Sequence, residues 1–490
     1  MKTMKKINIL LSCLMAISLT SCEDFLDVRP KAEKLERDLF KNAQGFEDAI
    51  YGVYGSLAST SMYGKDMLWG VTEILAQNLQ CSDAGLGRGE LFALARYDYK
   101  SNDYLRQRFS AIWTQTYQSI GYANNILEQL NDWSPETLPL YNHYKGEMLG
   151  VRALLHFDLL RLYAPMNESA TGIPYVTAYS YDVKPFRTVG EVYGFILKDL
   201  LEAEQLLAAD EQTIVYPHNN ENYNKFENYR ETHFNLYAVR ALLARVYWMR
   251  GDMANAAKYA TNVIDSQKFP LVDVTEVQDY LAGVLSPKET IFGIYAPSYL
   301  ETSRAYLYNN TSYVSYSPYD NVSGINYLEP WQAIYSLDVA GTAQDYRRNH
   351  FKVETAQTRF LKLVDYHAIE NTKRADVAEL ISGVTLFHTS ELYLIAAEAL
   401  LQTNYQKALS YFNTEITSRG LTALQQNETL TVDRIFNEYR KELFGEGQLW
   451  FNMKRLNKDI VSNAETKTIA GSDEVYVIPI PEEEFEYRNE

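Results

Sequence analysis

Two stretches of the chain repeat one another, and they limit its fold more than any other feature. One is "LLARVYWMRGDMANAAKYATNVI", Leu242–Ile264, and the other is "LIAAEALLQTNYQKALSYFNTEI", Leu394–Ile416. With Leu243-Ala244 set on Ile395-Ala396, Tyr247 falls on Ala399, Gly251 on Thr403 and Ala256 on Ala408. Apolar residues recur at helical spacing on both sides of a central break, at Gly251 in one copy and at Thr403-Asn404 in the other. Each copy is therefore expected to be a helix, a turn and an antiparallel helix, with the small residues allowing close approach. A hairpin of this kind leaves an apolar stripe that only neighbouring hairpins can cover, so more helix pairs are required.

That pattern resembles the tetratricopeptide unit. Candidate partners are present. "FEDAIYGVYGSLA", Phe46–Ala58, puts Phe46, Ile50, Val53, Tyr54 and Leu57 on one stripe. Ile112–Leu130 and Tyr144–Tyr163 read as a degenerate pair, the second stopped by Pro165. Thr188 and Glu191 have capping-box spacing ahead of a helix running to Leu207. Between these blocks, Ala209–Arg230 is polar, and Pro270–Tyr346 has many turn residues, with "ETIFGIYA" its clearest strand. A stretch of that length without helices, inside a compact domain, is usually functional.

The N-terminus reads as an address. Lys2, Lys5 and Lys6 precede an apolar run, Ile7–Leu19, that is too short to span ~30 Å of hydrocarbon as a helix. Thr20-Ser21-Cys22 follows, in the order of a secretory signal and its cleavage site. A cysteine at the cut resembles the bacterial lipoprotein signal, although Thr20-Ser21 departs from the usual small-residue pair. The resemblance implies cleavage before Cys22 and acylation of Cys22. Each buried methylene adds about 0.8 kcal/mol, so two or three acyl chains would hold the protein on a membrane it does not cross. Glu23-Asp24 resembles an acidic signal that some Gram-negative bacteria use for export of lipoproteins to the surface.

Composition excludes other classes. The chain has 46 basic and 63 acidic residues and a net charge of −17, the wrong sign for phosphate backbones, so no nucleic-acid partner is expected. Past Cys22 only Cys81 remains, which rules out an intrachain disulfide and any cysteine metal cluster in a mature chain. The 39 tyrosines suit cores, interfaces and sugar-stacking surfaces alike.

Several blocks occur together: "CEDFLDVRP", "GVRALLHFDLLRLYAPM", "ELYLIAAEALLQ", "NEYRKELFGEGQLWFNMKRLN" and a terminal "VYVIPIPEEEF". In this order they resemble the SusD/RagB family of outer-membrane nutrient-binding lipoproteins. The most specific block holds Glu438, Arg440, Glu442, Leu443, Glu446, Gly447, Trp450 and Arg455 in the family's spacing. Leu449, Asn452 and His388-Thr389 depart from it. The resemblance implies a mostly α SusD-like fold, with about four tetratricopeptide-like hairpins supporting irregular ligand-binding loops and a few short strands. It implies a signal over 1–21, an N-terminal helical region over 22–215, a central hairpin over 216–272 and a C-terminal region over 273–490 packed with the N-terminal region as one globule. It also implies capture of an oligomeric nutrient, most often an oligosaccharide or polysaccharide, for a SusC-like TonB-dependent outer-membrane barrel, with no covalent chemistry and no cofactor.

No enzyme motif stands against this. There is no HExxH motif, and "GLGRGE", Gly85–Glu90, lacks a preceding strand and reads as a turn. His156 lies in an apolar helix, where a satisfied core role fits better than metal ligation. Glu438, Glu442 and Glu446, with Arg440 and Lys441 nearby, read as an ion-paired buttress, and "PEEEFEYRNE" as a solvated tail. The Asp- and Asn-rich loops leave a Ca2+ site open, but no spacing demands one, and no residue is assigned to a metal. Sugars present C–H faces that stack on rings and hydroxyls that take amide and carboxylate partners. Two segments have that composition. One is Tyr295–Tyr335, with Tyr306, Tyr308, Tyr313, Tyr316, Asn326 and Trp331. The other is Trp69–Tyr104, with Trp69, Asn78, Asp83, Arg96, Tyr97 and Tyr99. These twelve residues are the candidate ligand contacts. Peptide cargo for the same importer, and a helical scaffold that binds only protein, remain alternatives.

Overall fold

A computed structural model describes residues 38–79, 89–180, 182–218, 226–276, 284–286, 288–309, 334–335, 345–354, 357–364, 381–425, 427–462, 467–486 and 488. Contacts divide the chain into Met1–Phe46 and Glu47–Glu490. In the first unit the described residues place the Phe40 and Phe46 rings 4.9 Å apart. Cys22 lies outside the described residues.

The chain is mostly helical. The principal helices are α1 (Ala43–Leu57), α2 (Gly89–Ala95), α3 (Asp103–Gln129), α4 (Tyr141–Tyr163), α5 (Val189–Leu206), α6 (Leu236–Met249), α7 (Met253–Asp265), α8 (Thr389–Leu400), α9 (Tyr405–Ser418), α10 (Val432–Glu442) and α11 (Leu449–Arg455). From α3 on they stack in series: α3 on α4, α4 on α5, α5 on α6, α6 on α7, α7 on α8, and α8 on both α9 and α10. The two repeated stretches are the pairs α6–α7 and α8–α9. Gly251 turns the first pair at φ +80°, a left-handed position that favours glycine. Asp252 and Asn404 each cap the helix that follows by accepting a backbone N–H. The capping box at Thr188 and Glu191 forms as its spacing predicts.

Helix α4 is buried on nearly every face. Two glycines let neighbours reach its backbone: a Cβ on Gly146 would stand 2.7 Å from Leu207 Cγ, and one on Gly150 only 2.3 Å from Phe234 Cδ1. His156 of α4 is a satisfied core residue. Its Nδ1–H donates to Arg152 O at 2.8 Å, and its Nε2 accepts the Val176 N–H at 3.0 Å. Burial drives its pKa down to about 3 and holds the ring neutral.

The strands are short: β1 (Thr171–Pro174), β2 (Phe186–Thr188), β3 (Val284–Leu285), β4 (Thr290–Tyr295), β5 (Phe351–Glu354), β6 (Gln357–Phe360) and β7 (Ile381–His388). The expected "ETIFGIYA" strand is β4, antiparallel to β7, with Thr290 opposite His388 and Tyr295 opposite Gly383. The chain end differs from its reading as a solvated tail. Trp113 Nε1–H donates to Glu484 at 3.0 Å, and Phe485 stacks on Phe186 with centroids 5.7 Å apart. The acids are mostly solvated, but the apolar ring and the indole partner between them dock the segment.

Candidate functional site

The two ring-rich segments meet through their roots. Asp66–Gly70 forms a wide π-type turn that runs into the short helix Thr72–Leu75, and both are buried. Across from them stand the helix Tyr299–Ser303 and a second wide turn, Arg304–Asn309. Trp69 Nε1–H donates to Tyr299 Oη at 3.3 Å, and the Trp69 and Tyr306 rings lie 6.0 Å apart. Lys65 Nζ stands 5.0 Å from the Tyr306 ring centroid. The ammonium is also 3.4 Å from Asp66 Oδ1, which Arg108 binds at 2.8 Å. Arg108 in turn pairs with Glu90, on α2. A chain of contacts thus joins Tyr306, just ahead of residues 310–333, to α2, which follows residues 80–88. Burial lowers the Lys65 pKa, and the Asp66 carboxylate opposes that shift.

The far end of the longer segment is also fixed. Tyr335 is buried, its hydroxyl donates to Lys441 O at 2.8 Å, and its ring packs on Phe351 at 5.6 Å.

Under these roots lies the anionic buttress expected from Glu438, Glu442 and Glu446, but its cations come from elsewhere. Arg347 binds Glu442 at 2.9 Å, Asp345 at 2.8 Å, and Glu438. Arg419 joins Glu442 at 2.7 Å to Glu289 at 2.9 Å. Glu446 lies past the end of α10, where Lys362 and His388 pair with it. Lys441 does reach Glu438, at 3.2 Å, while Arg440 turns away to Asn78 Oδ1 at 2.9 Å. Burial works against charge on His388, but Glu446 and Glu289 outweigh it and push the pKa up to about 10. Arg347, Lys362, His388, Arg419, Glu442 and Glu446 line a cavity of about 120 Å3. Donor atoms of Glu289, His388 and Glu442 lie within 4.8 Å of one another, the spacing of a metal site. Arg419 already binds both carboxylates, and Glu446 and Ser390 engage the two imidazole nitrogens, so the set is committed to ion pairing.

Of the residues expected to touch ligand, several are structural. Trp69 and Asn78 are fully buried and Tyr99 is nearly so. Trp69 is tied to Tyr299. Asn78 Nδ2–H donates to Glu73 at 2.7 Å, and the Tyr99 hydroxyl donates to Val475 O. Tyr97 is partly buried. It donates to Leu75 O at 2.7 Å and stacks on Trp450 at 5.9 Å with 9° between the planes. Trp69 and Tyr99 have no open face left for a sugar and the Asn78 amide is spent on Glu73, so these three build the frame, which corrects the reading of them as contacts, while Tyr97 gives one face to Trp450 and stays partly exposed. Glu73 explains part of this demand: it accepts the Gly447 N–H at 2.7 Å, and burial pushes its pKa up to about 7. Arg96 is exposed and Tyr306 is half-buried, so both keep a surface for contact. Asp83, Tyr313, Tyr316, Asn326, Trp331 and the Tyr308 side chain lie outside the described residues. Sequence reasoning missed Lys65, Glu90, Arg108, Arg347 and Arg419: Asp66 and Asp345 are near neighbours of two of them, but the contacts that tie the frame together, to Tyr306, Glu438, Glu442 and Glu289, join residues distant in the chain.

Among the described residues no helix is long and apolar enough to cross a membrane. Residues 24–248 match a SusD-like family described as "starch-binding associating with outer membrane", and residues 340–487 match the SusD family. The chain is 25% identical to "SusD-like protein P2" of Formosa agariphila, over 98% of this chain and 97% of that one. A SusD superfamily crystal structure from Bacteroides thetaiotaomicron superposes with a TM-score of 0.65 at 22% identity, covering 91% of this chain and 98% of the other. A putative sugar-binding protein from Bacteroides vulgatus gives 0.65 at 20% identity, covering 89% and 95%. With two family models matched along the sequence and the helical architecture shared throughout, this chain belongs to the SusD/RagB family.

Proposed function

We propose that the protein is a non-catalytic capture protein of the outer membrane, tethered at an acylated Cys22 after removal of residues 1–21 and facing the cell exterior. It takes up an oligomeric glycan and delivers it to a TonB-dependent barrel of the SusC type. The observation that carries this reading is the joining of the two ring-rich segments at their roots, through Tyr306, Lys65, Asp66, Arg108 and Glu90. A buried ion-paired frame holds that junction rigid, so loops built on it meet a flexible oligosaccharide with little ordering cost on the protein side. The family description as starch-binding and outer-membrane-associated supports the same assignment. The candidate contacts are Arg96 and Tyr306 at the roots, with Asp83, Tyr308, Tyr313, Tyr316, Asn326 and Trp331 in the segments between them.

Isothermal titration of the mature chain against a panel of neutral and acidic oligosaccharides tests the reading, with Trp331→Ala and Tyr306→Ala beside the wild type. Binding to at least one glycan, weakened in both variants, is expected. Binding to peptides and to no glycan would replace the cargo. Binding to neither would leave only a protein-docking scaffold.

A further inference from the structure

A second recess lies among helices α3, α4 and α5, and none of the residues discussed as glycan contacts lines it. Its volume is about 580 Å3, within the range of small-molecule sites. A column of three rings runs out of the core into it. At the base, His156 is fixed at both nitrogens. Tyr175 stacks on His156 with centroids 3.9 Å apart and 24° between planes, and Phe195 stacks on Tyr175 at 5.2 Å and 25°. Tyr175 is held at its tip as well: its hydroxyl donates to Asp199 Oδ2 at 2.6 Å, and Arg152 clamps the same carboxylate at 2.7 and 2.8 Å. Phe195 ends the column with 37% of its surface exposed. An isolated exposed ring is ordinary. A ring preset by two others beneath it, at the wall of a recess, is a stacking platform whose ordering cost folding has already met.

The rim sets the ligand class. Three acids, Glu128, Asp199 and Glu202, face three bases, Lys145, Arg152 and Lys198, so the lining carries no net charge. Arg152–Asp199 and Lys145–Glu202, the latter at 2.8 Å, are internal pairs. Glu128, Asn131 and Lys198 make no side-chain hydrogen bond or ion pair among the described residues. They leave an acceptor, an amide and a donor beside the ring. A flat apolar face edged by hydroxyls satisfies that set, whereas a charged ligand would unbalance it.

The geometry points to a second binding site, for a neutral saccharide, in which one sugar ring stacks on Phe195 and its hydroxyls reach Glu128, Asn131 and Lys198. The site shares its ligand class with the proposed function and uses none of that site's residues. Phe195, Glu128, Asn131 and Lys198 are exposed, so substitutions there leave the core intact.

The test is saturation-transfer NMR on the mature chain, with glucose, galactose, mannose and xylose as probes and glucuronate as the charged comparison. It is run on Tyr306→Ala protein, so that the first site contributes little. Transfer to at least one neutral sugar is expected. Adding Phe195→Ala should cut it at least fivefold, and adding Phe195→Tyr should preserve it. No transfer in the Tyr306→Ala background, transfer indifferent to Phe195→Ala, or preference for glucuronate would each overturn the site. Failure of the first-site reading shows differently: Tyr306→Ala would leave the oligosaccharide titration unchanged while the Phe195-dependent signal stood.

Discussion

Lys65 Nζ stands 5.0 Å from the centroid of the Tyr306 ring, although the two residues belong to opposite ends of the candidate site's sequence. The ammonium sits over the π face of a half-buried tyrosine and next to Asp66 Oδ1, at 3.4 Å. A contact of this type contributes about 0.5–2 kcal/mol, depending on desolvation. Its larger consequence is geometric, because it fixes the ring from which residues 310–333 continue.

Tyr306→Ala should weaken glycan binding about tenfold, equivalent to about 1.4 kcal/mol, and Tyr306→Phe should retain most of it. Titration calorimetry measures both. Equal loss in the two variants would mean that the hydroxyl acts rather than the ring face.

Gly150→Ala should destabilise the protein by about 1–3 kcal/mol, the usual cost of overpacking. The new methyl group would meet the Phe234 ring at 2.3 Å, on a helix that is buried on nearly every face. Gly52→Ala is the control. Nothing stands within 4 Å of its Cβ position, and a mid-helix alanine should add about 0.5–1 kcal/mol. Urea unfolding midpoints of the two variants should therefore move in opposite directions.

His388 makes stability fall on the alkaline side. Its folded pKa is raised from 6.5 to about 10, so its contribution is complete below pH 6.5 and is lost as pH rises through about 10. His388→Gln should cost about 3–5 kcal/mol at pH 6, because Glu446 loses a buried partner, and much less at pH 10. Chemical denaturation of both proteins at pH 6, 8 and 10 reads the closing gap. A gap independent of pH would mean that the imidazole is neutral in the folded protein.

Arg347→Met should be among the most damaging single changes, at about 3–5 kcal/mol. It strips one cation from Asp345, Glu438 and Glu442 together, all buried. Thermal unfolding of the variant checks this, and a loss below about 1 kcal/mol would show the network to be redundant.

Much of the frame is written in local spacing. The pairs α6–α7 and α8–α9 follow from apolar positions three and four apart, the Thr188–Glu191 box from two residues, and β4 from a short apolar run. Such signals lie within one turn or one strand. The site is harder to read because burial is a property of distant partners. The Trp69 indole is spent on Tyr299, 230 residues away, and the Tyr99 hydroxyl on Val475, 376 away. Composition marks these residues as aromatic and polar but cannot say which faces are covered. The departure at His388 is similar: the sequence shows an unusual residue, and only the fold reveals that it supplies a cation to Glu446.

Hydrogen–deuterium exchange of the mature protein, with and without the glycan it binds best in titration, tests the account most directly. The prediction is protection concentrated in residues 60–75, 89–97 and 299–309, the roots joined by Lys65 and Tyr306. Protection confined to the helical pairs α6–α9, with those roots unchanged, would contradict it.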